Sequence, residues 1–149
     1  VIYLIDTSIF LRARDQQSAL REVCALAVQH LVENEQRLFI CTQVLAEYWV
    51  VATRPRQNNG MGLDLSTASA DVGRLLAAFE SLPEPDDGSR RWYDLVVRHH
   101  VLGKQAHDAR LAALMLAHGV THILTLNPGD FARYDGITPV TPQEIHQTP

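Results

Sequence analysis

Residues 1–12 read VIYLIDTSIFLR. Val1 to Ile5 form an unbroken apolar run, the pattern of a strand buried on both faces in a parallel sheet. Asp6 follows at once, then Thr7, Ser8 and a second apolar run from Ile9 to Leu11. A carboxylate at the mouth of a buried strand is costly to desolvate, so it needs a partner or a chemical task. Thr7 and Ser8 read equally well as caps of the helix that follows.

The rest of the chain alternates strand and helix patterns. Leu20, Val23, Cys24, Ala27, Val28 and Leu31 fall at helical spacing, which predicts an amphipathic helix over about 16–35. A second strand is read at 38–41, with Thr42 as N-cap of a helix that Arg54-Pro55 ends. QNNGMGLDL, 57–65, reads as a flexible loop, after which Ser66 is expected to cap another helix. Leu82 to Pro85 is a link or edge strand. Helices follow at about 89–102 and 105–118, the second stopped by Gly119. A strand at 123–126, one helical turn at 128–133 and a last short strand at 137–140 complete the pattern. Such alternation argues an α/β sandwich around a parallel sheet, with ligands at the carboxyl ends of the strands near the switch in strand order.

At 149 residues the chain is read as a single domain, 1–149, long enough for a real core. No apolar run approaches a membrane span, and the first residues carry no basic n-region, so neither a membrane segment nor a secretory signal is expected. Cys24 and Cys41 lie in apolar runs and read as buried free thiols, which fits a cytoplasmic location. The net charge of −4 does not advertise nucleic-acid binding, yet clustered acids in a metal site would hide a basic rim in such a total.

Four acids stand apart from the others. Asp6 follows the first strand, Glu47 sits among apolar residues in the helix after the second, Asp108 opens DARLAALMLA, and Asp130 follows LTLNPG. Ordinary readings exist for three of them: a surface acid at Glu47, a helix-dipole acid at Asp108, a turn residue at Asp130. If the four converge, each ionised pair about 5 Å apart repels by roughly 3 kcal/mol at an effective dielectric near 20. That requires protonation or a cation, and a hard-oxygen set without His or Cys favours Mg²⁺ or Mn²⁺. Two such ions could promote phosphodiester cleavage.

Other chemistries lack their signatures. A phosphoacceptor receiver domain needs paired acids after the first strand and a lysine after a late one, but the only lysine, Lys104, follows no strand. A haloacid dehalogenase-type phosphatase needs D-x-D where this chain has Asp6-Thr7-Ser8. There is no P-loop, dinucleotide fingerprint, H-E-x-x-H or G-x-S-x-G.

The order of the acids carries a resemblance. LIDTSIFL with Asp6 and Ser8, QVLAEYWVVATRP with Glu47, HDARLAALMLAHGV with Asp108, and ILTLNPGDF with Thr125, Asn127, Asp130 and Phe131 together resemble the PIN domain family. In size and spacing the chain looks like the VapC-type toxins of toxin–antitoxin pairs. The resemblance implies a PIN-like three-layer α/β/α sandwich with a central, mainly parallel sheet. It implies an Mg²⁺- or Mn²⁺-dependent endoribonuclease with Asp6, Glu47 and Asp108 as metal ligands, and either Asn127 or Asp130 completing the site. Asp130 joins those three as a catalytic acid, while Ser8, Thr125 and Asn127 orient ligands or waters. It also implies a VapB-like antitoxin, an RNA substrate and a homodimer. Arg12, Arg14, Arg54, Arg56 and Arg110 lie near the acidic motifs and are candidates for RNA binding. Tyr48, Trp49 and Trp92 could stack bases but read first as core or interface. The rival reading is a PIN-fold protein that binds RNA or a partner without cutting, for which Asn127 in place of an acid is the one supporting feature.

Overall fold

The computed structural model describes residues 1–147. Five strands, β1 (Ile2–Ile5), β2 (Arg37–Cys41), β3 (Glu80–Leu82), β4 (His122–Leu124) and β5 (Thr138–Val140), form one sheet in the order β3-β2-β1-β4-β5. Every pairing is parallel. β1 is central, with Leu4 level with Phe39 of β2 and Ile123 of β4, which is why Tyr3, Leu4 and Ile5 are all buried and the run carries no polar alternation.

Among the described residues, seven α-helices complete the fold: α1 (Thr7–Arg14), α2 (Arg21–Glu33), α3 (Thr42–Thr53), α4 (Leu65–Ala78), α5 (Gly88–Arg98), α6 (Gln105–His118) and α7 (Pro142–Gln147). The chain steps from β1 to one edge through β2 and β3, then returns to the other side of β1 for β4 and β5. Right-handed crossovers therefore place α1–α4 on one face and α5–α6 on the other. The packing agrees: α1 lies on α2 and α3, α3 on α4, and α5 on α6, while α7 lies on α2. This is the expected three-layer α/β/α sandwich. Its switch in strand order lies between β1 and β4, so their carboxyl ends open a crevice there. Ile9, Ile40, Val44, Leu111, Met115, Ile123 and Leu124 fill the core on both sides of the sheet.

Several element boundaries differ from the sequence reading. The span read as one helix over 16–35 begins at Arg21, and a separate helix, α1, starts directly after Asp6. Thr42 is the first helical residue rather than the cap, and Cys41 holds the cap position with no side-chain bond. The cap of α4 is Asp64, whose carboxylate accepts from the Thr67 N–H at 2.7 Å, and Ser66 lies inside the helix. An Asp two residues upstream of Ser66 wins because its charged oxygen is the stronger acceptor at a helix N-terminus. The short helix α7 has no counterpart in the periodicity. Segment 57–65 folds back on the end of α3: Met61, Gly62 and Leu63 donate to the carbonyls of Val51, Arg54 and Ala52 at 2.9, 2.9 and 2.8 Å. Gly60 permits that approach, since a Cβ there would lie 1.9 Å from the Arg54 carbonyl oxygen.

The helical layer of α1, α3 and α4 is cross-linked by a buried acid. Asp71 of α4 accepts from Arg14 Nε of α1 at 2.9 Å, from the Tyr48 hydroxyl of α3 at 2.6 Å, and from Arg74 one turn along its own helix. Burial and the Asp71 hydrogen bond push the Tyr48 phenol well above its ordinary value, so it stays protonated and remains a donor. Removing Asp71 strands a buried hydroxyl and a half-buried guanidinium. Asp71→Ala is expected to destabilise the fold by about 2 kcal/mol, and Tyr48→Phe by about 1 kcal/mol, in urea unfolding followed by circular dichroism.

Candidate functional site

The polar end of the sheet begins at the residue that follows β1. The Asp6 N–H donates to Leu124 O of β4 at 3.0 Å, extending the ladder by one step and fixing the carboxylate at the crevice. Two hydroxyls converge on the same oxygen: Ser8 Oγ donates to Asp6 Oδ2 at 2.8 Å and Thr125 Oγ1 at 2.7 Å. Both hydroxyls are held in turn, because Leu126 N–H donates to Ser8 Oγ at 3.2 Å and Asn127 N–H to Thr125 Oγ1 at 3.0 Å. The carboxylate is thus anchored to the β1–α1 junction and to the end of β4 at once.

Glu47 is held differently. Gln43, one turn earlier on α3, donates through Nε2 to Glu47 Oε1 at 3.0 Å and to the main-chain carbonyl of His107 at 2.8 Å. One buried amide therefore ties the Glu47 carboxylate to the residue that precedes Asp108. Thr7 donates to Val44 O at 2.9 Å and lies 3.5 Å from Glu47 Oε2, fastening α1 to α3 on the same side. Asp108 sits in the first turn of α6. Asn127 and Asp130 flank the 3-10 turn Pro128–Asp130, in which Asp130 N–H donates to Asn127 O at 3.1 Å.

These residues meet in one cleft of about 630 Å³, lined by Asp6, Ser8, Glu47, Asp108, Asn127 and Asp130. Thr7 and Lys104 complete its polar wall, and Leu11, Ala46, Val50 and Val51 supply an apolar side. Thr125 lies fully buried behind Asp6. The four acids singled out in the sequence thus face the same space. Their electrostatics confirm the crowding. Asp108 is pushed up to about 6, chiefly by burial and then by Asp130, Asp6 and Glu47, with His107 opposing. Asp6 is raised mainly by burial and further by Glu47, against the hydrogen bonds from Thr125, Ser8 and the Thr7 main chain.

The arginines distribute unevenly. Arg14 lines a separate cavity with Asp71 and Tyr48. Arg56 faces Asp15 at 3.9 Å and Gln17 at 3.3 Å, and Arg54 Nη2 donates to Asn59 O at 3.3 Å within the returning loop. Arg110 faces Glu84 at 3.8 Å, and Arg12 acts on Cys24 through its charge. Lys104 lines the acidic cleft, although the sequence reading weighed it only as the lysine of a receiver domain and did not place it in the site. Its signal was its place four residues before Asp108, on one helical face. Gln43 was also missed, though it stands four residues before Glu47.

The donor set suits a small hard cation: carboxylate oxygens from four segments, an amide oxygen at Asn127, and no thiolate or imidazole facing in. Among the described residues, no three His, Cys, Asp or Glu side chains stand close enough together to hold a metal ion between them. Mg²⁺ does not need three, because it keeps several waters and takes one or two carboxylates together with substrate phosphates. Asp6, Glu47 and Asp108 are the residues that would supply those carboxylates.

A family profile for the PIN domain matches residues 3–137. The chain belongs to the PIN domain family. Its fold is shared with solved VapC-type proteins. VapBC2 of Rickettsia felis, solved with a promoter DNA fragment, superposes with a TM-score of 0.69 at 16% identity, over 95% of this chain and 98% of that one. VapC20 of Mycobacterium tuberculosis, a toxin that cleaves the sarcin–ricin loop, gives 0.63 at 17% identity over 92% and 99%. VapBC-1 of nontypeable Haemophilus influenzae gives 0.68 at 16% identity over 96% and 99%. Comparison with curated protein sequences gave no match. Among the described residues, no helix is long and apolar enough to cross a membrane.

The crowded acids make stability depend on pH. Asp108 has a folded value near 6, against about 4 in the unfolded chain, so between those values the folded state binds more protons. In metal-free protein this contribution is complete below about pH 4 and is lost as pH rises through about 6. Asp108→Asn is expected to flatten that fall and to melt higher than the parent protein at pH 7, in thermal unfolding scans from pH 4 to 8 with chelator present.

Proposed function

We propose that this protein is an Mg²⁺- or Mn²⁺-dependent endoribonuclease and the toxin of a VapBC-type toxin–antitoxin pair acting in the cytoplasm. The observation that supports this reading is the convergence of Asp6, Glu47, Asp108 and Asp130 on one cleft at the switch in strand order. Membership of the PIN family and the shared fold with VapC20 support the same chemistry.

Bound in the cleft, the cation would neutralise the carboxylates, draw in a phosphodiester and lower the pKa of a water. The chain's own groups prepare for that event. Ser8 and Thr125 hold the Asp6 carboxylate in one rotamer, and Gln43 does the same for Glu47. Asp108, crowded by Asp130, Asp6 and Glu47, is the carboxylate whose charge the cation would relieve. Lys104 offers charge to the incoming phosphate. Hydrolysis adds water at phosphorus and breaks the bond to the 3′ oxygen, which leaves a 5′-phosphate and a 3′-hydroxyl. The apolar side of the cleft, with Val50 largely exposed, suits an antitoxin helix that would cover the acids. A homodimer belongs to the same proposal, supported by Tyr93 and Val97 exposed one turn apart on α5.

The test is cleavage of a mixed small-RNA pool by antitoxin-free protein with Mg²⁺ or Mn²⁺. Discrete cuts are expected, abolished by EDTA. Asp6→Asn, Glu47→Gln and Asp108→Asn are each expected to lower the rate about 100-fold or more, and Thr125→Val about 10-fold. A folded protein that Mn²⁺ stabilises but that cuts nothing in the pool would favour the binding-protein reading instead.

A further inference from the structure

A second cavity, of about 560 Å³, lies beside the acidic cleft, lined by Glu84, Ser89, Trp92, His107 and Arg110. The first turns of α6 form the wall between the two. Lys104 and Asp108 line the acidic cleft, whereas Ala106, His107 and Arg110 line the second cavity. Consecutive helical residues project about 100° apart, so one helix serves both spaces. The cavity's size suits a nucleotide-sized ligand.

Where the cleft gathers acids, this cavity sets one acid, Glu84, against one base, Arg110, beside an aromatic ring. Trp92 is half-buried, and its indole N–H donates to Ala106 O at 2.8 Å, which fixes the ring between α5 and α6. Arg110 pairs with Glu84 at 3.8 Å, with the two side chains 49% and 55% exposed. A pair so long and so wet contributes little, and a phosphate can displace the carboxylate and take the guanidinium in bidentate form. A rigid aromatic face beside an available guanidinium recognises a base and its phosphate together. The apolar residues Leu11, Val50 and Val51 belong to the acidic cleft, so a peptide helix has its complement there, not here.

We infer that this cavity is a nucleotide subsite for single-stranded RNA, in which Trp92 stacks the base and Arg110 binds the phosphate of a residue adjacent to the cleaved bond. The subsite rests on the ribonuclease reading for its role in cleavage, but its occupancy can be measured without any reaction. Trp49→Phe leaves Trp92 as the single tryptophan reporter. In that background, with EDTA present to prevent cutting, hexamers of oligo(A) and oligo(U) ribonucleotides are titrated against tryptophan fluorescence and against fluorescence anisotropy of an end-labelled hexamer.

Quenching of Trp92 is expected. Arg110→Ala and Trp92→Leu are expected to weaken binding about tenfold each, while Trp92→Phe, which keeps a stacking ring and loses the Ala106 bond, stays within about twofold. Circular dichroism checks that each variant folds. Binding that ignores Arg110→Ala or Trp92→Leu would overturn the subsite, as would an absence of hexamer binding. Quenching by an acidic peptide but not by RNA would assign the cavity to a protein partner and equally overturn it. If cleavage fails while the predicted binding pattern holds, the subsite stands and the nuclease reading falls.

Discussion

Asp6 is anchored from two directions at once. Its main chain continues the β1–β4 ladder, and its side chain receives hydroxyls from Ser8, two residues on, and Thr125, 119 residues away. Burying a carboxylate is unfavourable unless hydrogen bonds compensate, and here they do so only with β1, α1 and β4 in register. A slip of β4 by one residue would turn Thr125 to the other face and leave Asp6 without its second donor. The polar cluster therefore specifies the register of the sheet's centre as strictly as the apolar packing does.

The same economy governs the acids around it. Asp108 is pushed up to about 6 because burial and three other carboxylates oppose its charge. The fold tolerates this because α3 and α6 are clamped by Gln43 rather than free to spread. Behind them, Asp71 binds α4 to α1 and α3 through Arg14 and Tyr48, the neighbour of Glu47. The cleft is a crowded electrostatic arrangement held by a stiff frame.

Two of the acids were legible because each breaks a local rule: Asp6 follows a buried strand directly, and Asp108 stands in the first turn of a helix ahead of a largely apolar run. The parallel sheet was legible from β1, whose unbroken apolar run admits few other readings. Gln43 and Asp71 were not legible. A polar residue in an amphipathic helix reads as solvent-facing, and only the tertiary partner, the His107 carbonyl for one and Arg14 for the other, reveals the burial. The helix caps slipped for a related reason. Thr42 and Ser66 are good caps by composition, but the turn geometry that selects Cys41 and Asp64 depends on where the strand and the returning loop end.

The long separations in this site have a consequence for biosynthesis. Gln43 reaches His107 across 64 residues, and Asp6 meets Thr125 across 119. A chain growing from its N-terminus makes β1, β2 and their helices early, yet it has no β4 to complete the central sheet and no Asp108 or Asp130 to complete the cleft. Contacts this distant in sequence form late, after loop closure has been overcome. The cleft is thus completed by the segment from Lys104 to Asp130, and a chain that ends before that segment does not carry it.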